Sequence, residues 1–469
     1  MRKIHRVAAL RHAAFLIAAI AACAPRARAD AVDAHIESEM RKHHIPGFAL
    51  AVVREGRVVK LAAFGKADVE LDVAATPRTV FQIQSITKTF TSAAILMLAE
   101  QGKLGLDDPV GAHLAGTPET WKDITVRRLL SHTSGIKDFI NEPTASLRID
   151  VTEEEVLAAT APRPLNFPPG ERYAYSNTNY HLLAMIIRKL TGLWYGDFLK
   201  ERIFAPLGMS DTRIVSLAEI IPGRAAGYHW RDGSFRNGDF VTESVLSYGG
   251  GGIVSTAEDM AKWAAAFESE TLLKKSTIAQ AWTPANLVNG KDAPYGLGWS
   301  IDAMNGHRGF GHGGGHVTGF SSYLLVYPDD RLAVVVLANV RGARLGRLAQ
   351  QIAGMYAPAL APKPPRPIED KEPEVTALLR ECLEGLAAWT LKEEKFTAEM
   401  WKHLETQRGA MQPMAAALGR IESLDLMARA QSGAARTYRY RAAFAGGVLL
   451  VSLELDKDGK IAGASVENE

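Results

Sequence analysis

A serine hydroxyl is a poor nucleophile until a neighbouring base removes its proton. A lysine can be that base once burial and a helix N-terminus disfavour its charge. Ser85 and Lys88 stand three residues apart at the head of a stretch, residues 81–102, in which residues 93–99 are wholly apolar. Such a run predicts a buried helix, and residues three apart on a helix share a face. Gly102 supplies the usual stop. The plain alternative is a helix-capping serine followed by a surface lysine. The same spacing recurs at Ser134 and Lys137. There the surroundings are polar and lack a periodic apolar run, which reads as a loop.

Two further stretches carry chemistry. Tyr175-Ser176-Asn177 follows Pro168-Pro169-Gly170 and puts a phenol, a hydroxyl and an amide before an expected helix. A tyrosinate beside a lysine can accept a proton, and an asparagine can hold a substrate amide. The alternative is a turn whose Ser176 or Asn177 caps that helix. Gly311-His312-Gly313-Gly314-Gly315-His316 precedes an expected strand. Its glycines let backbone N–H groups approach a substrate oxygen. His307, His312 and His316 lack the carboxylate or His-Glu-x-x-His spacing of a metal site, so no metal is expected. Gly249 to Gly252 allow close backbone approach but lack the Gly-Lys-Ser/Thr of a phosphate loop.

The elements that must position these groups follow from patterning. Residues 47–65 read as a hairpin about Glu55-Gly56, placing the serine shortly after a sheet begins. Residues 106–284 read as mostly helical, with helices over 153–161, 179–190 and 260–267. The last is preceded by the capping-box spacing at Ser255 to Glu258. Strand signals return at 295–299, 320–327 and 332–340, and a helix over 345–355 closes the segment. The expectation is a mixed sheet, its strands drawn from both ends of the segment, flanked by helices and carrying an inserted helical subdomain. Residues 357–373, rich in proline, read as an extended linker. Residues 374–469 read as a small accessory α+β domain: helices over 375–389 and 398–405, then strands over 436–444, 448–455 and 461–466.

The chain has 469 residues, enough for two or three domains, with 47% apolar and 23% charged residues, an ordinary globular balance. Nothing in it suggests nucleic-acid binding. The net charge of +2 arises at the N-terminus, where residues 1–29 hold six basic residues and no acid. The remainder has 48 basic against 52 acidic residues. Residues 1–29 read as a secretory signal, with an apolar run too short to span a bilayer and Ala27-Arg28-Ala29 before Asp30. The alternative is Ile20-Ala21-Ala22-Cys23, which resembles the lipobox of bacterial lipoproteins and would place a lipid anchor on Cys23. Either way, an exported protein, periplasmic or secreted, is expected, with no transmembrane span. With Cys23 removed, Cys382 remains alone, so the mature protein has no internal disulfide.

In order and interval, Ser85-x-x-Lys88, Tyr175-Ser176-Asn177 and His312-Gly313-Gly314 resemble the motif set of the serine β-lactamase and penicillin-binding-protein superfamily. The Tyr-Ser-Asn form is similar to the class C β-lactamase branch, with its D-alanyl-D-alanine carboxypeptidases, D-aminopeptidases and esterases. Residues 129–136, Pro206 to Met209 and residues 295–299 fit as well, so the resemblance covers roughly residues 32–356. It implies that Ser85 is acylated, that Lys88 and Tyr175 share proton transfers, and that Asn177 positions the substrate amide. The N–H groups of Ser85 and Gly315 would form the oxyanion hole beside Gly314, with no cofactor. Lactamases of this branch carry Lys-Thr-Gly where this chain has His312-Gly313-Gly314. The expected activity is hydrolysis of esters or D-amino-acid amides and peptides. The alternatives are a class C-type β-lactamase, a D,D-peptidase, or a catalytically silent binding protein on the same fold.

Overall fold

The computed structural model describes residues 31–140, 147–246, 248–362, 366–432 and 435–468. The expected signal segment and the candidate lipid-anchor site at Cys23 lie outside these residues. The chain divides into two compact units, residues 1–362 and 363–469.

The first unit is organised by a seven-stranded sheet. Its strands are β1 (Gly47–Arg54), β2 (Arg57–Asp68), β3 (Val73–Ala74), β4 (Ser300–Ile301), β5 (Phe310–His316), β6 (Phe320–Tyr327) and β7 (Leu332–Ala338). The order is β3-β2-β1-β7-β6-β5-β4. Every neighbouring pair is antiparallel, and β1 meets β7 with Ala51 opposite Val335. The N-terminal and C-terminal strands of the segment therefore close one sheet, with the helical block between them in sequence.

The central strands are buried on both faces, so they read as continuous apolar runs rather than alternating ones. Alternate residues still part company. Ala49, Ala51, Val53, Val335 and Leu337 face the core around helix α2 (Thr87–Glu100). Phe48, Leu50, Val52, Val334 and Val336 face a second core with α1 (31–42) and the closing helix Leu345–Tyr356. Residues 87–98 of α2 are buried throughout, as an all-round apolar helix requires. Gly102 ends it in the left-handed region at φ 67°.

Several boundaries moved for identifiable reasons. Helix α3 (Asn177–Thr191) begins two residues early and ends at the left-handed Gly192. Helix α4 (Ala257–Ala266) is capped not by Ser255 but by Thr256, whose hydroxyl accepts from Asp259 N–H. The strand expected over 295–299 is absent. Gly298, at φ 86°, turns the chain there, and Ser300–Ile301 forms the edge strand instead. The glycines expected before a strand lie within β5. Glycine weakens a strand signal, yet here it suits a strand whose backbone is approached closely.

The second unit has its own core, in which helices Pro373–Ala388 and Ala398–Leu418 cover a four-stranded antiparallel sheet. Its strands run Ile421–Ser432, Ala435–Phe444, Gly447–Leu455 and Ile461–Asn468. The first was missed, because Ile421–Ser432 mixes charges with small residues and carries two register shifts. The proline-rich stretch is not uniformly extended. Leu360 is buried in the first unit's core, while Ile368 N–H bonds Leu426 C=O in the second.

Candidate active site

Ser85 lies in a short 3₁₀ turn, Gln84–Ile86, that leads directly into α2. Gln84 holds a left-handed φ of 50° and is buried. A non-glycine residue in that region persists only where its surroundings over-determine it. Here its side-chain amide donates to Gln82 Oε1 at 2.6 Å and to Thr318 Oγ1 at 3.1 Å.

One turn on, Lys88 is fully buried. Its Nζ lies 3.1 Å from Ser85 Oγ and donates to Asn177 Oδ1 at 2.9 Å and to the Gly250 carbonyl at 2.7 Å. Burial drives its pKa down to about 7, with the Asp138 charge acting in the opposite direction. Gly250 belongs to the four-glycine run. A Cβ there would lie 2.3 Å from the Tyr248 ring and 3.1 Å from Lys88 Nζ, so glycine lets the backbone itself approach the lysine.

Helix α3 delivers the second motif. Ser176 is its N-cap residue, but its hydroxyl makes no capping bond and is buried without a partner among the described residues. Tyr175 projects beside Lys88, whose Nζ lies 4.8 Å from its ring centroid. The phenol is raised well above its ordinary pKa, mainly by burial, although a hydrogen bond with Ser85 opposes this. That direction corrects the expectation of a tyrosinate: at neutral pH the resting group is a phenol.

Asn177 has internal partners as well. Its Oδ1 accepts from Lys88 and from Tyr248 Oη at 3.0 Å, and its Nδ2 donates to Asp138 Oδ2 at 2.9 Å. The amide is thus built into an internal network and retains one N–H beyond those bonds. His312 is buried too. Its Nδ1 lies 2.7 Å from the Gly313 carbonyl and its Nε2 2.7 Å from Tyr295 Oη. A carbonyl only accepts, so Nδ1 carries the proton and Tyr295 donates to Nε2. Burial lowers its pKa to about 3. His312 is therefore a neutral ring with both nitrogens engaged.

Strand β4 pairs with Phe310 and Gly311 of β5, and among the described residues no strand pairs with residues 312–316 on that edge. A Cβ on Gly314 would stand 2.4 Å from the Ile83 carbonyl and 2.9 Å from Gln84 Cβ. The strand therefore runs tightly against the Ser85 turn. Gly315 is exposed, and its nearest neighbour would be 3.9 Å away.

Three residues of this network, Asp138, Tyr248 and His132, carry no motif in the sequence. His132 is buried with a positive φ of 56°. It accepts from Ser176 N–H through Nδ1 at 3.2 Å and packs its ring 4.2 Å from that of Tyr175. The signal for Tyr248 was its place beside the glycine run; nothing local marked Asp138. Among the described residues, no group of three or more His, Cys, Asp or Glu is placed to hold a metal ion, and no helix is long and apolar enough to cross a membrane.

Comparison with known proteins agrees with this architecture. The beta-lactamase family model matches residues 32–354. Penicillin-binding protein 4* of Bacillus subtilis is 31% identical over 314 residues, which are 64% of this chain and 69% of that protein. The chain spans about two thirds of the length of such curated relatives. Among solved structures, the octameric penicillin-binding protein homologue from Pyrococcus abyssi aligns with a TM-score of 0.63 and 21% identity, covering 94% of this chain and 98% of its own. A D-stereospecific amidohydrolase from Streptomyces sp. aligns with a TM-score of 0.56 and 26% identity, covering 67% of this chain and 94% of its own. The ordered motifs, the antiparallel sheet with its inserted helices and the family match over most of the length lead to one conclusion: this chain belongs to the beta-lactamase family, within the serine β-lactamase and penicillin-binding-protein superfamily of hydrolases.

Proposed function

We propose that this protein is an exported serine hydrolase that forms an acyl-enzyme on Ser85 and acts on esters or on D-amino-acid amides and peptides. One observation carries the reading. Two of the three partners of Lys88 Nζ, Asn177 Oδ1 and the Gly250 carbonyl, can only accept hydrogen bonds. A neutral lysine has two N–H bonds and one lone pair. Both hydrogens are claimed by those acceptors, so the lone pair points at Ser85 Oγ.

With a pKa of about 7, a large fraction of Lys88 is neutral at neutral pH. It takes the proton of Ser85 as Oγ attacks the carbonyl carbon. The ammonium so formed returns that proton by way of the Tyr175 phenol, which is bonded to Ser85 and gives its own proton to the leaving group as it takes the one from Lys88. Developing charge on the carbonyl oxygen is received by backbone N–H groups of Ser85 and of the exposed Gly315. Water releases the acyl group by the same steps in reverse. The likeness to a D-stereospecific amidohydrolase supports the D-amino-acid side of the substrate range.

The β-lactamase reading is disfavoured by His312. A neutral ring, buried and bonded through both nitrogens, offers no cation to a penicillin carboxylate. The test is a panel of short-chain p-nitrophenyl esters, D-amino-acid p-nitroanilides and nitrocefin, run beside labelling with a fluorophosphonate probe. Ester or D-amide turnover with slow nitrocefin turnover is expected. A kcat/KM for nitrocefin above that for every ester and amide would overturn the substrate assignment. Failure of any probe to acylate Ser85 would favour a silent binding protein.

A further inference from the structure

Asp138 lies outside the acyl-transfer steps above, yet it is built into the groups that perform them. Its Oδ2 accepts from Asn177 Nδ2 at 2.9 Å and its Oδ1 from Ile140 N–H at 3.1 Å. A carboxylate only accepts, so the nitrogen end of the Asn177 amide must face Asp138. The oxygen end then faces Lys88 and Tyr248. Were the amide turned over, it would offer N–H groups to Lys88, and the lysine lone pair would be drawn away from Ser85. The orientation of one carboxylate–amide bond therefore decides which way the base points.

Charge adds a second effect. Lys88 is faced by the phenols of Tyr175, Tyr180 and Tyr248, by the imidazoles of His132 and His312, with His316 further off, and by the Asp138 carboxylate. The three imidazoles are held neutral by burial. The carboxylate is thus the charged group among these that favours an ammonium at Lys88 against desolvation. A base stripped of all such support binds protons too weakly to remove one from serine efficiently.

We propose that Asp138 is a positioning residue of this site: it locks the Asn177 amide so that Lys88 presents its lone pair to Ser85, and it supplies the countercharge that keeps Lys88 an effective base. The inference rests on the reading of Ser85 and Lys88 as nucleophile and base.

The test follows the second-order rate of fluorophosphonate acylation between pH 5 and 10 in the full chain. The wild-type rate should rise through an acid limb near pH 7 to a plateau. Asp138→Asn keeps the shape but removes the charge and the acceptor-only constraint. Its limb should move down by about one pH unit, since a nearby opposite charge shifts a pKa by that order. Its plateau should fall about tenfold, in the range lost when a base is weakened or misaimed. An unmoved limb would mean a merely structural role and overturns the proposal. Asp138→Glu keeps the charge and should hold the limb within a few tenths of a unit of wild type. A downward shift as large as that of the asparagine variant overturns the charge assignment, however stable either variant is. Wild-type labelling that persists undiminished in Ser85→Ala overturns the underlying reading instead, and that outcome is separate because it appears before any Asp138 variant is examined.

Discussion

Ser85-x-x-Lys88 and Ser134-x-x-Lys137 are the same four-residue pattern in two settings. In the first, a 3₁₀ turn runs into a buried helix, so the spacing becomes contact and Lys88 Nζ meets Ser85 Oγ. In the second, Gly135 takes a left-handed φ of 81° and breaks any helical stacking. Ser134 is as buried as a core residue, but its hydroxyl donates to Asn179 Oδ1 at 2.7 Å and accepts from Ile136 N–H at 3.1 Å. That hydroxyl is a brace between a loop and α3. A spacing motif is chemistry only when the backbone beneath it has the matching period.

The largest effects should separate the two serines. Ser85→Ala should abolish covalent labelling and turnover while leaving the fold intact. Ser134→Ala should leave acylation in place but destabilise the protein by about 1–3 kcal/mol, because Asn179 keeps a buried acceptor without its donor. Labelling that survives at Ser85→Ala, or moves to Ser134, would erase the distinction.

Lys88→Met sharpens the same contrast through stability. Acylation should fall by roughly 10²–10⁴-fold, the usual share of a general base. The melting temperature should move the other way. The lysine pKa is depressed from 10.5 to about 7 on folding, so the unfolded chain binds its proton more tightly. That penalty is fully present below pH 7 and fades as pH rises toward 10.5. Methionine should therefore stabilise the protein most at pH 6 and least near pH 10, as thermal melts across that range would record. A pH-independent difference would show that Lys88 is not desolvated as described.

Next in size, neighbouring glycines of β5 should behave differently. Gly314→Ala forces a Cβ against the Ile83 carbonyl and should slow acylation and cost about 1–3 kcal/mol, since backbone cannot yield cheaply. Gly315→Ala has room for its methyl and retains its N–H, so activity within about threefold is expected. Parallel esterase assays and melts on the two variants decide this. The smallest effect should come from ending the chain after Pro362, because the second unit has a separate core. Acylation of Ser85 should persist; its loss from a folded truncation would show that the second unit completes the site.

Much of this was readable beforehand. The buried helix, the hairpin before it, the strands at both ends and the separate C-terminal unit all follow from local apolar period and turn residues. The glycine-rich β5 was misplaced because its strand character comes from pairing with β6, which no local propensity reports. Thr256, not Ser255, caps α4 because the cap goes to whichever hydroxyl reaches an orphan N–H, a matter of one residue of backbone geometry.

The sequence by itself determined the reactive types and their order: a serine and lysine one helical turn apart, a Tyr-Ser-Asn before a helix, and glycines bordering a strand. These are contacts or patterns within a few residues, and local backbone periodicity governs them. Only the tertiary structure decided the protonation states. Lys88 is pushed toward neutrality, Tyr175 toward its phenol and His312 toward a neutral ring because each loses water to groups far away in sequence. It also decided the direction of the proposed base. Asp138, Asn177 and Gly250 lie 50, 89 and 162 residues from Lys88, and desolvation and hydrogen-bond polarity act through space, where sequence separation leaves no trace.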